Sequence, residues 1–243
     1  MSSPAAPAER PAPALWRLRL AVLSASHTTI DAYGAFLAPI VALVLAPRFG
    51  LTDAGAANLL SLYVFLLSLG QVFFGYLSDH LGGRKLTIAA PAVAGLTAGS
   101  FLLAPSLPLL LAMIVACALA IAAYHPEAVA LSGALGGPRR AASTAVFMAA
   151  GPVGVSLGPF AITWAAERPE PPLWLPVVGL AVALLLWWAV PKGLLGRRSS
   201  SAYREEGVLG VLRRQAKPLS LLASISALRY LATLGNVSSP VGS

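Results

Sequence analysis

The sequence predicts an all-α membrane protein, and three observations carry that prediction. Hydrophobic residues make up 57% of the 243-residue chain and charged residues only 11%, against about 25% charged in a soluble domain. Six apolar runs reach or approach the ~20 residues that a helix needs to cross hydrocarbon. The net charge of +8 gathers between those runs, mostly in alternate gaps. A soluble core of this size could not absorb so much apolar sequence, so lipid is the solvent against which each element is read.

In order, the runs are residues 18–46, 54–77, 86–104, 107–135, 141–166 and 173–190. The third and fourth form one nearly continuous block, divided at APSLP, where Pro105 and Pro108 mark a tight turn. A seventh run starts at Leu219 and turns polar at GNVSSPVGS, so only part of a helix is expected there. Four regions follow: a Pro- and Ala-rich cytoplasmic N-terminus without order (1–17), a six-helix domain (18–191), a cytoplasmic linker (192–217) and a partial seventh helix with its tail (218–243). The linker's second half, GVLGVLRRQAK, suits either a short interfacial helix or a plain flexible tether. The first run is a poor signal peptide, because SASHTTID interrupts it and no small-residue cleavage site follows.

Lys and Arg fix the expected orientation. With the N-terminus cytoplasmic, that side holds Arg10, Arg17, Arg19, Arg84, Lys85, Arg139, Arg140, Lys192 and every cation from Arg197 to Lys217, while the other side holds only Arg48 and Arg168. The same placement argues against nucleic acid as a partner, since that would need basic residues clustered on a soluble face. The single cysteine, Cys117, lies inside an apolar run and reads as a small packing residue.

Within the fourth run, IAAYHPEAVAL sets Tyr124, His125, Pro126 and Glu127 at lipid depth. A carboxylate there costs about 3 kcal/mol on insertion scales, so it persists only where it faces protein or water. Pro126 has no amide donor and clashes one turn back, which frees the carbonyl of Ala122 and is expected to bend the helix. His125 and Glu127, two residues apart, point about 200° from each other on a regular helix. One is therefore expected to face a cavity and the other a neighbouring helix. In the first run His27 and Asp31 stand four apart, on one helical face, where an imidazolium and a carboxylate can pair. Each of these two runs thus carries a His and an acid, a weak internal symmetry of the kind that inverted repeats leave. Asp31 and Glu127 are the candidates to load and release a proton, because burial favours the neutral carboxyl and a nearby cation the charged one. A helix-to-helix hydrogen bond that only orders the bundle is the competing role for both, and packing or hydrogen bonding the competing role for His27 and His125. Arg229, inside the seventh run, would attract an anionic substrate, offset a buried acid, or simply snorkel.

Between the second and third runs stands GYLSDHLGGRKL. Gly75 permits close packing, Asp79 can face a helix terminus, and Gly82 and Gly83 permit a tight turn before Arg84 and Lys85. This segment resembles the signature loop of the major facilitator superfamily, Gly-x-Leu-Ala/Ser-Asp-Arg-x-Gly-Arg-Arg/Lys, at the same place in the chain. His80 stands where Arg is usual, and Gly83 where the first Arg of the pair is usual. In that family the loop latches cytoplasmic helix ends, and the loss of two cations bears on the strength of the latch. HTTIDAYGAFLAPI, AYHPEAVALSG and GPVGVSLGP resemble the fosmidomycin-resistance branch of the same superfamily, as does ALRYLATLG in the seventh run.

That resemblance implies twelve helices in two pseudo-symmetric halves, each half of 3+3 inverted repeats, and the export of drugs or small metabolites against proton entry. By it, this chain is the six-helix N-terminal half plus the start of a seventh helix, either a truncated piece or one that pairs with a second six-helix half. An importer or facilitator on the same fold is the alternative activity. In GPVGVSLGP, Gly154 and Gly158 stand one turn apart before Pro159, a spacing that lets helix backbones touch. The segment also partly resembles the Gly-Pro motif of proton antiporters, without the usual Gly pair after the proline. An enzyme is not expected: His27, His80 and His125 are the only histidines, and neither a His-Glu-x-x-His spacing nor a Gly-x-Ser-x-Gly elbow is present. Neither a metal nor a cofactor is expected.

Overall fold

The computed structural model describes residues 15–81 and 83–194 together with Ala216, Ser220 and Ser224, the side chains of residues 79–81 excepted. Met1–Arg197 form one compact unit and Arg198–Ser243 a second, of which the three described residues are helical. Of the segment expected without order (1–17), Trp16 and Arg17 already belong to a helix, while the residues before Leu15, most of the linker, most of the partial seventh helix, Arg229 and Gly82 lie outside the described residues.

The described part of the first unit is helical, without a strand. The first pass comprises α1 (Trp16–Gly34), α2 (Leu37–Ile40), a π-helical turn (Val41–Leu45) and α3 (Ala46–Phe49). Then follow α4 (Asp53–Leu81), α5 (Arg84–Ala98) with a 3-10 turn (Phe101–Leu103), α6 (Leu107–Gly136), a 3-10 turn (Gly137–Arg139), α7 (Arg140–Ala166) and α8 (Trp174–Ala189). Among the described residues, four apolar helical segments are long enough to cross a membrane, and one of them, Leu107–Ala166, holds two passes. It folds back at Gly137, whose positive φ of 54° suits glycine. α8 has 16 residues, about 24 Å at 1.5 Å per residue, and is the shortest pass.

Each run of the sequence analysis lies on one pass, and α4 continues through Asp79 to Leu81 while α5 begins at Arg84, so most of the expected loop is helix. α6 runs without interruption through Pro126. The interruption lies in the first pass, at Ala35 and Phe36. Pro39 explains it, since it cannot donate to the carbonyl of Ala35 four residues back. The amide of Ala35 is shared between the carbonyls of Asp31 and Ala32, and the Tyr63 hydroxyl from α4 donates to the carbonyl of Gly34 at 3.3 Å. The polar backbone at the break is thereby served from inside the bundle, as hydrocarbon requires.

The first pass packs on α7 and, through α1, on α6 and α8; α5 packs on α6 and α8, and α4 on α6. Exchanging passes one, two and three with four, five and six turns the one–five contact into four–two and the three–four contact into six–one. It leaves one–four and three–six on themselves, and all of these contacts are present. Two other contacts, α6 on α7 and α1 on α5, have no counterpart of like extent in α1 on α4 and α6 on α8, so the 3+3 symmetry of the packing is partial. α1 and α7 approach so closely that a Cβ at Gly154 would overlap the carbonyl of Thr28, and one at Gly158 the carbonyl of Ala32. Backbone cannot yield as a side-chain tip can, so Gly154→Ala should cost about 1–3 kcal/mol. A thermal melt of the purified variant checks this, and an unchanged midpoint refutes the close approach.

Apolar side chains on the outer faces, among them Phe65, Val72 and Phe73 of α4, Phe160 of α7 and Leu184 and Trp187 of α8, remain more than half exposed, as in a bundle solvated by lipid. At the end of the bundle where α5 begins, Arg84 closes α8. Its Nε donates to the carbonyl of Val190 at 2.9 Å and its Nη2 to that of Trp187 at 2.8 Å. Carbonyls at a helix C-terminus lack intrahelical donors, and the planar guanidinium serves two at once.

Candidate functional site

Asp31 is the centre of the site. On α1 it lies one turn beyond His27, and the two face α7 and α6. His27 Nδ1 meets the carbonyl of Phe147 at 2.8 Å, and the rings of His27 and Phe147 stack at 4.2 Å. His27 Nε2 lies 3.4 Å from Asp31 Oδ2. From α6, His125 Nδ1 meets the carbonyl of Ile121 at 2.8 Å, and its Nε2 meets Asp31 Oδ1 at 3.0 Å. One carboxylate is therefore bracketed by two imidazoles, one toward each oxygen.

The backbone fixes the tautomers. A carbonyl only accepts, so the Nδ1 of each ring must carry the hydrogen that meets it. Each ring then turns its Nε2 toward the carboxyl. The 3.0 Å contact between His125 Nε2 and Asp31 Oδ1 needs one proton, either on the ring as imidazolium beside carboxylate or on the acid beside neutral imidazole. Without it, two lone pairs would face each other. The contact between His125 and Asp31 therefore holds one proton.

Exposure differs across the group. The side chains of Asp31 and His125 keep 17% and 22% of their surface open, and that of His27 only 4%. Counting 1.5 Å per residue, Asp31 lies about 22 Å along α1 from Trp16, and His125 about 16 Å from the end of α6, well inside a ~30 Å hydrocarbon core. Tyr124 closes one side: fully buried, its hydroxyl shares a hydrogen bond of 2.5 Å with Ser26 Oγ and donates to the carbonyl of Leu23 at 3.2 Å. Gly151 makes the room, since a Cβ there would fall within 3 Å of Asp31 Oδ2 and the His27 ring. Its neighbours in sequence gave no sign of this; only the α1–α7 register does. His27, Asp31 and His125 each offer a donor atom within 4.8 Å of the others, so the three could also close on a cation, at the expense of the Asp31–His125 hydrogen bond.

Glu127 is not part of this group. It is buried on the other side of α6, and a Cβ at Gly83 would fall on its carboxyl group. Pro126 lies beside Gly75 at ordinary contact distance. The three residues of His-Pro-Glu thus divide: His125 turns to α1, while Pro126 and Glu127 turn to the signature segment. Gly83 itself has φ −77° and ψ −5°, which any residue adopts, so the expected demand for turn flexibility is replaced by a demand for space. Lys85 is exposed, and the side chain of Asp79 lies outside the described residues. Gly154 and Gly158 serve the α1–α7 approach one and two turns beyond Gly151, and Pro159 continues α7 without ending it.

Together the fold and the site define a multi-pass α-helical membrane protein with an ionisable cluster held inside the bundle. The family model of the Major Facilitator Superfamily matches residues 23–238, and the chain belongs to that superfamily. Its members are transmembrane transporters rather than enzymes, which implies a small-molecule substrate and a bilayer as surroundings. No curated protein matches the chain.

Proposed function

We propose that the chain belongs to a proton-coupled exporter of drugs or small, possibly anionic, metabolites, similar to the fosmidomycin-resistance branch. The observation that carries this is the contact between His125 Nε2 and Asp31 Oδ1, which ties one proton to the closure of the first pass on the fourth. Transport by alternating access needs such a link: a proton bound from one side stabilises one arrangement, and its release allows the other. The broken first pass supports the reading, because interrupted helices near the midplane line transporter cavities. So does the partial exposure of Asp31 and His125. His27 and Tyr124 would hold the pair in place, and Arg229 would meet an anionic substrate from the seventh run. A second six-helix half, in the same chain or a partner, would complete the cavity. The protein would sit in the plasma membrane with its N-terminus in the cytoplasm, as the Lys and Arg asymmetry implies.

Proteoliposomes loaded with a pH-sensitive dye test this. Adding a transported drug or organic anion should move protons in the opposite direction, and an imposed pH difference should drive substrate accumulation. Substrate flux that ignores the pH difference would leave a facilitator and remove the proton from the mechanism.

A further inference from the structure

Trp16 opens α1 at the end of the bundle where α6 turns into α7. Two guanidinium groups converge on its indole from positions far apart in sequence, Arg17 at 5.5 Å and Arg139 at 5.8 Å from the ring centroid. No described carboxylate pairs with Arg17, Arg19 or Arg139: every ion pair formed between described residues belongs to Asp31.

Like charges brought together without a counter-charge call for an anion. The surroundings say which kind. Leu15 and Leu18 on the same turns are 60% and 51% exposed, apolar surface flanking the cations. Tryptophan and arginine side by side at a helix end are the composition of a membrane–water boundary. A ligand that suits both halves of this surface has an anionic phosphate and hydrocarbon chains on one molecule.

We propose that Arg17 and Arg139, converging on Trp16, form a binding site for the headgroup phosphate of an anionic phospholipid, with its acyl chains passing Leu18 along α1. The guanidiniums match phosphate oxygens through paired N–H donors. Because Trp16 and Arg139 begin the first and fifth passes, the lipid would bridge the two elements whose packing holds the Asp31 cluster. The inference requires only a membrane-spanning bundle and stands apart from the proton-coupled reading.

Thermal melts of the full chain in a neutral detergent test it. Titration with phosphatidylglycerol should raise the midpoint saturably by about 5 °C. Phosphatidylcholine and inorganic phosphate at equal concentrations should each give less than a quarter of that rise. The Arg17→Gln/Arg139→Gln variant should lose most of the response, while Arg168→Gln, which alters a cation stacked on Trp164 elsewhere in the bundle, should keep it. An equal rise with phosphatidylcholine would overturn the headgroup assignment, an equal rise with inorganic phosphate would make the ligand a free anion, and a full response in the double variant would put the lipid elsewhere. Should the double variant fail to fold, native mass spectrometry of Arg139→Gln decides: it should retain less than half the phosphatidylglycerol that Arg139→Lys retains, and equal retention overturns the site.

Discussion

Asp31→Asn should abolish transport driven by an imposed pH difference, lowering it at least tenfold, while the thermal midpoint moves by no more than a few degrees. Asparagine keeps the shape of the carboxyl, and its amide can donate to the Nε2 of a neutral His125, so the α1–α6 contact survives. What it cannot do is give the proton up. The contact becomes permanent where the wild type makes it conditional, and a state that needs the contact open is reached more rarely. His125→Gln should give the same result from the other side, because its amide fills the contact without a titrating ring. His27→Gln should weaken coupling less, since its Nε2 stands at 3.4 Å rather than 3.0 Å from the carboxylate. The measurement is dye-reported proton flux alongside substrate uptake in the same vesicles. Asp31→Asn vesicles that still respond to the pH difference as the wild type does would take Asp31 out of the coupling step.

How much of this was legible in the sequence follows from the range of the forces involved. The apolar runs were readable because hydrocarbon demands ~20 residues in every pass, and the division at Pro105 and Pro108 because α6 begins there, at Leu107. The His27–Asp31 pair was readable as a spacing of four on one helix. The contact of Asp31 with His125 was not, since it joins positions 94 apart and depends on how α1 and α6 are rotated toward each other. The opposed directions of His125 and Glu127 followed from helix geometry alone; which one met the first pass did not. Proline was legible only in part. Pro126 lies in a helix that continues through it, clasped by α4, α5 and α7. Pro39, unremarked within a run of apolar residues, is where the first pass breaks. Gly83 gave the subtlest signal: it departs from the family pattern, and the reason for the departure lies 44 residues away, in the carboxyl of Glu127.

Gly83 and Glu127 should behave as a coupled pair in a double-mutant cycle. A methyl group added at Gly83 falls on the Glu127 carboxyl, and that carboxyl is the tip of a flexible side chain, so Gly83→Ala should displace Glu127 rather than unfold the chain. The cost is then that of moving a buried carboxyl from the environment that accommodates it. In a Glu127→Ala background the space is empty, and the same Gly83→Ala change should cost little. The difference between the two backgrounds is expected at about 1–3 kcal/mol, the range for residues in direct contact, read from chemical or thermal denaturation of the four proteins. Additive effects would show that the carboxyl does not rest over Gly83. The same cycle read in transport carries the functional half of the argument. Pro126 and Glu127 hold the signature segment through Gly75 and Gly83 while His125, on the same turn of α6, holds Asp31. On the proposed mechanism, a proton gained or lost at Asp31 would therefore act on a helix segment that is in contact with the loop at the bundle's end. Gly83→Ala should lower the rate of proton-driven transport and leave its pH dependence intact, because it alters the loop's seat and not the titrating pair. A shifted pH dependence in that variant would mean that the two contacts of α6 cannot be separated.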